Sequence, residues 1–136
     1  MGSNRLSIDT NIVIHAIVQK PRNQYAKACS MLSGEGSTYA VFDSAIIEAV
    51  YVFETFYEKS RLQIARDFTL FFEQFGNNLD YNKTITKMVL PFWVEHPALS
   101  FTDCYLAFQS SLIQAEPLMT FDKKLASQHS SVELLA

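Results

Sequence analysis

Short apolar segments that resemble strands alternate with longer segments that resemble helices, and this alternation strongly constrains the fold. RLSI at residues 5–8 is followed by NIVIHAIVQ, whose apolar residues recur at helical spacing. TYAVF at 38–42 is β-branched and aromatic, and a helical pattern follows it through about Tyr57. Strands and helices in this order form βαβ units. We therefore predict an α/β fold, a three-layer α/β/α sandwich around a central parallel sheet of four to five short strands.

The rest of the chain continues this pattern. NQYAKACSMLS, SRLQIARDFTLFFEQF and the segments at 83–94 and about 100–114 predict helices. LDYN indicates a short edge strand, PLMT at 117–120 a third buried strand, DKKLASQ a short helical turn and VELL a last strand. A chain of 136 residues has the length of one ordinary domain, so we expect residues 1–136 to form a single domain with one core.

Composition excludes several classes of protein. Hydrophobic residues make up 49% of the chain, which is enough for a globular core, yet no apolar stretch reaches the 18 or more residues of a membrane-spanning helix. We expect a cytoplasmic protein with no membrane association. Cys29 and Cys104 lack zinc-ligand spacing and are expected to be reduced and core-facing. The net charge of -3 argues against a protein that holds nucleic acid by bulk electrostatics.

An aspartate follows each of the three main predicted strands. Asp9 follows the first strand, Asp43 the second and Asp122 the third. Because ligands of open α/β sheets bind beyond the carboxyl ends of the strands, we expect these residues along one edge. Aspartate is also a favoured residue at the start of a helix. For Asp43, which precedes Ser44 and a helix, that capping role explains the residue fully.

Glu48 and Asp103 are further candidate site residues. Glu48 interrupts the apolar run AIIEAVYVF, so we expect its carboxylate to lie against protein, where an unpaired charge costs several kcal/mol. No Lys or Arg stands at positions 44, 45, 51 or 52 to pair with it, which favours a functional role. Asp103 lies in the first turn of its predicted helix, where a capping box with Ser100 is the structural alternative.

Four carboxylates at one sheet edge would repel one another unless a cation lay between them. Hard oxygen ligands favour Mg²⁺ or Mn²⁺, and such an ion lowers the pKa of a bound water so that hydroxide can attack a phosphodiester. The metal would also supply the positive charge that the chain lacks. Lys123 and Lys124, beside Asp122, are placed to meet RNA backbone phosphates.

Four segments carry a resemblance to a known family. SIDTNIVI, SAIIEAVYVFETFYEKSR, SFTDCYLAFQ and LMTFDKKLAS occur in the order found in PIN domains. Within that family the chain resembles the VapC-like ribonuclease toxins of type II toxin-antitoxin systems. The resemblance implies a Mg²⁺- or Mn²⁺-dependent endoribonuclease that hydrolyses RNA, commonly a homodimer and inhibited by a small antitoxin protein.

The resemblance also implies a role for individual residues. Asp9 and Asp103 would be the main metal ligands. Glu48 would hold the ion directly or through water and accept the proton of the attacking water. Asp122 would complete the site or bind a second ion. The two polar neighbours that would orient ligands or water are Asn11 and Thr120.

Aromatic residues are abundant between positions 51 and 72, where they either pack the core or line an interface. They are Tyr51, Phe53, Phe56, Tyr57, Phe68, Phe71 and Phe72. The three histidines, His15, His96 and His129, are scattered singly and are expected to be hydrogen-bonded structural residues.

Other functions remain alternatives. A catalytically degenerate PIN fold would serve only as a binding module. A metal-dependent phosphatase of the haloacid dehalogenase type also begins with Asp after the first strand, but its Asp-x-Asp-x-Thr pattern is broken here by Asn11 and Val13. A receiver domain would need an adjacent acidic pair near the first strand, which the sequence lacks.

Overall fold

In the computed structural model, which describes residues 4–135, helices alternate with short parallel strands, and the prediction of an α/β fold is confirmed. The chain forms two compact units, of which the first ends at Asn82 and the second begins at Lys83. Among residues 4–135, no helix is long and apolar enough to cross a lipid bilayer.

The first unit contains three strands and four α-helices. In chain order these are β1 (Asn4–Ser7), α1 (Thr10–Val18), α2 (Arg22–Ser33), β2 (Ser37–Ala40), α3 (Asp43–Thr55), α4 (Arg61–Phe75) and β3 (Leu79–Asp80), with a 3₁₀ turn at Gly76–Asn78 before β3. The strands form one parallel sheet in the order β1-β2-β3, so the short edge strand predicted from LDYN is confirmed.

Backbone hydrogen bonds continue this sheet beyond the strands and fix the edge where Asp9 lies. The Ile8 amide donates to the Ala40 carbonyl at 3.1 Å, and the Val41 amide donates to the Asp80 carbonyl at 2.9 Å. In both segments a helix begins two residues later, α1 after Ile8 and α3 after Val41. The β1–α1 and β2–α3 junctions therefore lie side by side at the carboxyl end of the sheet.

Apolar stripes on the helices form the core of the first unit. On α3 the buried residues are spaced as one helical face, namely Ala45, Ile46, Ala49, Val50 and Phe53. Phe68 of α4 is fully buried and packs edge-to-face on Phe53, with ring centroids 5.8 Å apart. Such aromatic pairs contribute about 0.5–1.5 kcal/mol beyond their buried area, so the Phe53–Phe68 pair stabilises the contact between α3 and α4.

The second unit contains three helices and two strands. They are α5 (Lys83–Glu95), α6 (Phe101–Leu112), β4 (Leu118–Thr120), α7 (Lys123–Gln128) and β5 (Val132–Leu134). The two strands pair in parallel, with Met119 beside Glu133. Trp93 and Tyr105 are fully buried, and the Trp93 ring meets Phe101 edge-on at 5.1 Å.

Hydrogen bonds thus define a three-stranded and a two-stranded sheet among the described residues, where the sequence predicted one sheet of four to five strands. The expectation that PLMT is a third buried strand was wrong. This segment supplies β4, the fourth strand, and the side chain of Met119 is 48% exposed. An isolated strand pair can bury one face without covering the other, which a local apolar pattern does not reveal.

Single cysteines and histidines behave largely as expected. Both cysteines are free thiols; Cys104 is buried, but Cys29 is only half-buried. The Nδ1 atoms of His15 and His96 bond to backbone carbonyls at 2.6 and 2.7 Å, and Nδ1 of His129 accepts from the Ser131 amide at 3.1 Å. All three histidines are therefore hydrogen-bonded structural residues.

The aromatic residues between positions 51 and 72 divide between core and surface. Phe53, Phe68 and Phe71 are buried, and Phe72 is half-buried. Tyr51, Phe56 and Tyr57, towards the end of α3 and just beyond it, are exposed. The core interpretation is therefore confirmed for Phe53, Phe68 and Phe71, and the interface interpretation stays a prediction for the exposed residues.

Candidate active site

Asp9 connects the first strand to the first helix. It is the N-cap residue of α1, with extended backbone (φ -90°, ψ 176°), and its Oδ1 accepts a hydrogen bond from the Ile12 amide at 3.1 Å. This bond satisfies one of the helix amides that lack an intrahelical partner. The side chain is exposed, and its Oδ2 lies outside the capping bond. Asp9 therefore has a structural role and a carboxylate oxygen that remains open to water.

The structure corrects the expected environment of Glu48. Its side chain is exposed and does not lie against protein. At 3.6 residues per turn, the apolar neighbours Ile46, Ala49 and Val50 turn inward, whereas Glu48 lies on the opposite face with Ser44. The argument that burial demands a partner for this carboxylate was therefore wrong.

Asp9 and Glu48 nevertheless line one open cleft of about 580 Å³ in the first unit. We call it the acid cleft, and its wall is formed by Ser7, Ile8, Asp9, Thr10, Ile12, Met31, Phe42, Ser44, Ala45 and Glu48. None of the described residues that line it carries a positive charge. Two carboxylates and three hydroxyl groups thus face a water-filled space.

Phe42 and Ser44 are wall residues with functional side chains that the sequence analysis did not name as site residues. Phe42 is 59% exposed although it is aromatic, and Ser44 contributes a hydroxyl. Both follow β2 as Asp9 follows β1, so the rule about strand ends was available to find them. The expected cap of α3 was also wrong: Phe42 is the N-cap residue, without a side-chain capping bond, and Asp43 is the first residue of the helix. At this position the negative charge of Asp43 still interacts favourably with the positive N-terminal end of the helix dipole.

Asp103 lies in the second unit, in the first turn of α6, and is half-buried. Its amide donates to Ser100 Oγ at 3.1 Å, so Ser100 caps the helix as the sequence indicated. This bond is the one that Ser100 contributes to the predicted capping box.

Asp122 also belongs to the second unit and is the N-cap of α7. Its Oδ1 accepts from the amides of Lys124 and Leu125 at 2.9 and 3.1 Å. The Asp122 amide donates to Thr120 Oγ1 at 3.0 Å, so Thr120 fixes the turn that presents Asp122. The side chains of Lys123 and Lys124 are exposed on the same short helix.

The structure therefore distributes the predicted acids over the two units. Asp9 and Glu48 both line the acid cleft of the first unit, and Asn11 is exposed in the first turn of α1. In the second unit, Asp103 lies in the first turn of α6 and Asp122 is the N-cap of α7. Between residues 4 and 135, no group of three or more His, Cys, Asp or Glu side chains is placed to hold a metal ion.

The oxygen atoms of the acid cleft suit a hard divalent cation. Mg²⁺ is commonly bound through one or two protein carboxylates, with water and substrate phosphate completing its coordination. Asp9 and Glu48 supply that number of carboxylates, and an open cleft leaves room for water. The donor chemistry of these two carboxylates is therefore compatible with a hydrated Mg²⁺ or Mn²⁺ ion.

No family model, curated protein or solved structure matches this chain. The resemblance to PIN domains therefore rests on the four sequence motifs alone.

Proposed function

We propose that the protein is a PIN-like endoribonuclease that uses Mg²⁺ or Mn²⁺ to hydrolyse RNA phosphodiester bonds. The observation that carries this proposal is the pair of exposed carboxylates, Asp9 and Glu48, in one cleft at the carboxyl end of a parallel sheet. This is where open α/β folds bind their ligands. The four PIN-like motifs supply the reaction class.

Each residue of the cleft has a defined task in this proposal. Asp9 and Glu48 would hold the cation, which when bound would offset the charge of the phosphate and lower the pKa of a bound water. The capping bond to Ile12 fixes the orientation of the Asp9 carboxylate. Glu48 would accept the proton of the attacking water. The oxygen of that water would bond to phosphorus, and the leaving ribose oxygen would take a proton from solvent as its bond to phosphorus breaks. Phe42 offers an exposed ring on which an unpaired base can stack.

The proposal extends to the acids of the second unit. Asp103 would be the second main ligand, and Asp122 would complete the site or bind a second ion. Asn11 and Thr120 would orient water or ligands, and Lys123 and Lys124 would contact RNA phosphates.

The biological setting is part of the same proposal. A PIN-like ribonuclease of this size would act in the cytoplasm as the toxin of a type II toxin-antitoxin pair. It would form a homodimer and be inhibited by a small antitoxin protein. The exposed aromatic rings of Tyr51, Phe56 and Tyr57 support an interface at the end of α3, because large apolar groups are enriched at such surfaces.

One observation favours a second candidate function, a PIN-like module that binds RNA without cleaving it. Among residues 4–135, the acids do not form a group of three, as a strongly bound metal would require. Such a module would retain RNA affinity and show no metal-dependent hydrolysis. A phosphatase of the haloacid dehalogenase type has no comparable support, since its motif is broken at Asn11.

Cleavage of end-labelled single-stranded RNA tests the proposal. The wild-type protein should cleave with Mg²⁺ or Mn²⁺ and stop when EDTA is added. Glu48→Gln should lower the rate by at least about 100-fold, because a positioned proton acceptor contributes that much. Glu54→Gln is the matched control, since Glu54 lies on the same helix and does not line the cleft.

RNA binding by the wild type with no hydrolysis in either metal would contradict the nuclease and would establish the binding module instead. Unchanged cleavage by Glu48→Gln would contradict the assignment of Glu48 as the proton acceptor.

A further inference from the structure

A second pocket of about 420 Å³ adjoins the acid cleft and has a different chemistry. We call it the Lys27 pocket. It shares Asp9, Ile12 and Met31 with the acid cleft, and its other lining residues are Asn11, His15, Gln24, Lys27 and Ala28. All of these belong to α1 and α2 or to the residue before α1. Its volume is in the range of pockets that bind small molecules, about 300–1,000 Å³.

The polar groups of this pocket can recognise a nucleotide. Lys27 is an exposed cation, whereas the described wall of the acid cleft has none. Asn11 and Gln24 carry carboxamides, each with both donors and an acceptor. His15 Nδ1 donates to the Lys20 carbonyl at 2.6 Å, so in the neutral ring Nε2 is the acceptor.

The apolar part of the wall completes this recognition. Ile12, Ala28 and Met31 provide a surface on which the flat face of a base can pack. A methionine side chain adapts to such a ring and makes favourable contacts between sulfur and aromatic groups. The pocket thus combines a cation for phosphate, carboxamides for a base edge and an apolar wall for a base face.

We propose that the Lys27 pocket binds one adenine nucleotide of the RNA, next to the phosphate that is hydrolysed in the acid cleft. This inference rests on the proposed function and names its specificity subsite. Lys27 would bind the nucleotide phosphate. Gln24 would pair with the adenine edge, where a carboxamide matches one donor and one acceptor.

Methyl NMR of the full-length protein, labelled at its methionine methyl groups, tests the subsite. Adenosine monophosphate is titrated in EDTA, so that no metal ion contributes. The signal of Met31, assigned with Met31→Leu, should shift, whereas those of Met88 and Met119, which line neither cavity, should not. Lys27→Gln should weaken binding about threefold to fivefold, as for an exposed charge pair. Lys87→Gln removes the same charge from an exposed site on α5 and should bind normally.

Cytidine monophosphate and inorganic phosphate are the comparison ligands, and both should bind more weakly than adenosine monophosphate. Equal affinity for cytidine monophosphate would overturn the assignment of adenine. An unmoved Met31 signal, or equal binding by Lys27→Gln and Lys87→Gln, would overturn the pocket itself.

A second measurement connects the pocket to cleavage. Gln24→Ala should raise KM by at least about fivefold for RNA with adenine beside the cleavage site, with kcat unchanged. Glu48→Gln should instead lower kcat. If wild-type protein binds adenosine monophosphate through Lys27 but cleaves no RNA, the nucleotide pocket is supported and the nuclease is refuted, so the two proposals fail separately.

Discussion

Substitutions at Asp9 separate the two roles that the structure gives this residue. Asp9→Ala removes the oxygen that caps the Ile12 amide, and loss of such a cap costs about 1 kcal/mol of unfolding free energy. For a chain of this length, that corresponds to a fall in Tm of about 3–5 °C. Asp9→Asn keeps a capping oxygen and loses only the charge at the helix N-terminus, about 0.3–0.5 kcal/mol at an exposed position. Both variants should nevertheless lose RNA cleavage, because neither has the carboxylate.

Ser60→Ala provides the matched control for capping alone. Ser60 Oγ accepts from the Gln63 amide at 3.1 Å, the same distance as in the Asp9 cap, and it lies at the start of α4 outside the acid cleft. Its loss should also cost about 1 kcal/mol while cleavage is retained. Urea unfolding followed by circular dichroism gives the stabilities, and gel assays of labelled RNA give the rates.

A catalytic role for Asp9 is refuted if loss of RNA cleavage tracks the loss of unfolding free energy and not the loss of the carboxylate. That would be seen as full cleavage by Asp9→Asn, or as equal loss of cleavage in Ser60→Ala and Asp9→Ala. A Ser60→Ala variant as stable as wild type would show that the capping energy has been overestimated at both helices.

Three further predictions follow from the same structure. Burial lowers the pKa of His129, so the folded protein binds fewer protons than the unfolded chain below about pH 6.5. The free energy of unfolding, measured by urea titration, should therefore fall from pH 7 to pH 5. His129→Gln should make that fall smaller. Phe68→Ala should cost about 3–5 kcal/mol of unfolding free energy, because the ring is fully buried; a loss under about 1 kcal/mol would contradict the packing. Lys123→Gln with Lys124→Gln should weaken RNA binding and reduce its dependence on salt, by filter binding at several salt concentrations, without changing Tm.

The elements that local signals specify were predicted well. Ser100 precedes α6 as the capping residue that the sequence indicated, and it accepts the expected backbone bond. Ser60 accepts the same kind of bond at the start of α4, a helix that the sequence predicted. Asp9 was likewise identified at a strand-to-helix junction. In these cases the hydrogen bond joins residues three apart in the chain, so the sequence contains all of its partners.

The errors arise where distant parts of the chain decide the outcome. Whether Glu48 is buried depends on how α3 is rotated, and its apolar stripe turns Glu48 outward. Asp43 outranks Phe42 as a capping residue in peptides, but pairing of Val41 with Asp80 extends the strand and leaves Phe42 at the cap position. Met119 is exposed on a two-stranded sheet, which can bury one face and leave the other uncovered.

The candidate site was predictable only in part for the same reason. Asp9 and Glu48 were found because carboxylates after strands and within apolar helices stand out in a sequence. Lys27 and Gln24 carry no such signal, since exposed polar residues on a helix are ordinary. Only the packing of α2 beside the start of α1 brings them to one pocket with Asp9.

The two cavities together explain how a chain with a net charge of -3 could use RNA as a substrate. Without a cation, Asp9 and Glu48 repel phosphate from the acid cleft. A bound divalent ion would neutralise these two carboxylates, while Lys27 would contribute positive charge in the adjoining pocket. Metal and RNA would then strengthen each other's binding by the same factor, because coupling between two ligands is reciprocal. Under this proposal, the positive charge that holds RNA lies at the site of reaction and is not spread over the whole surface.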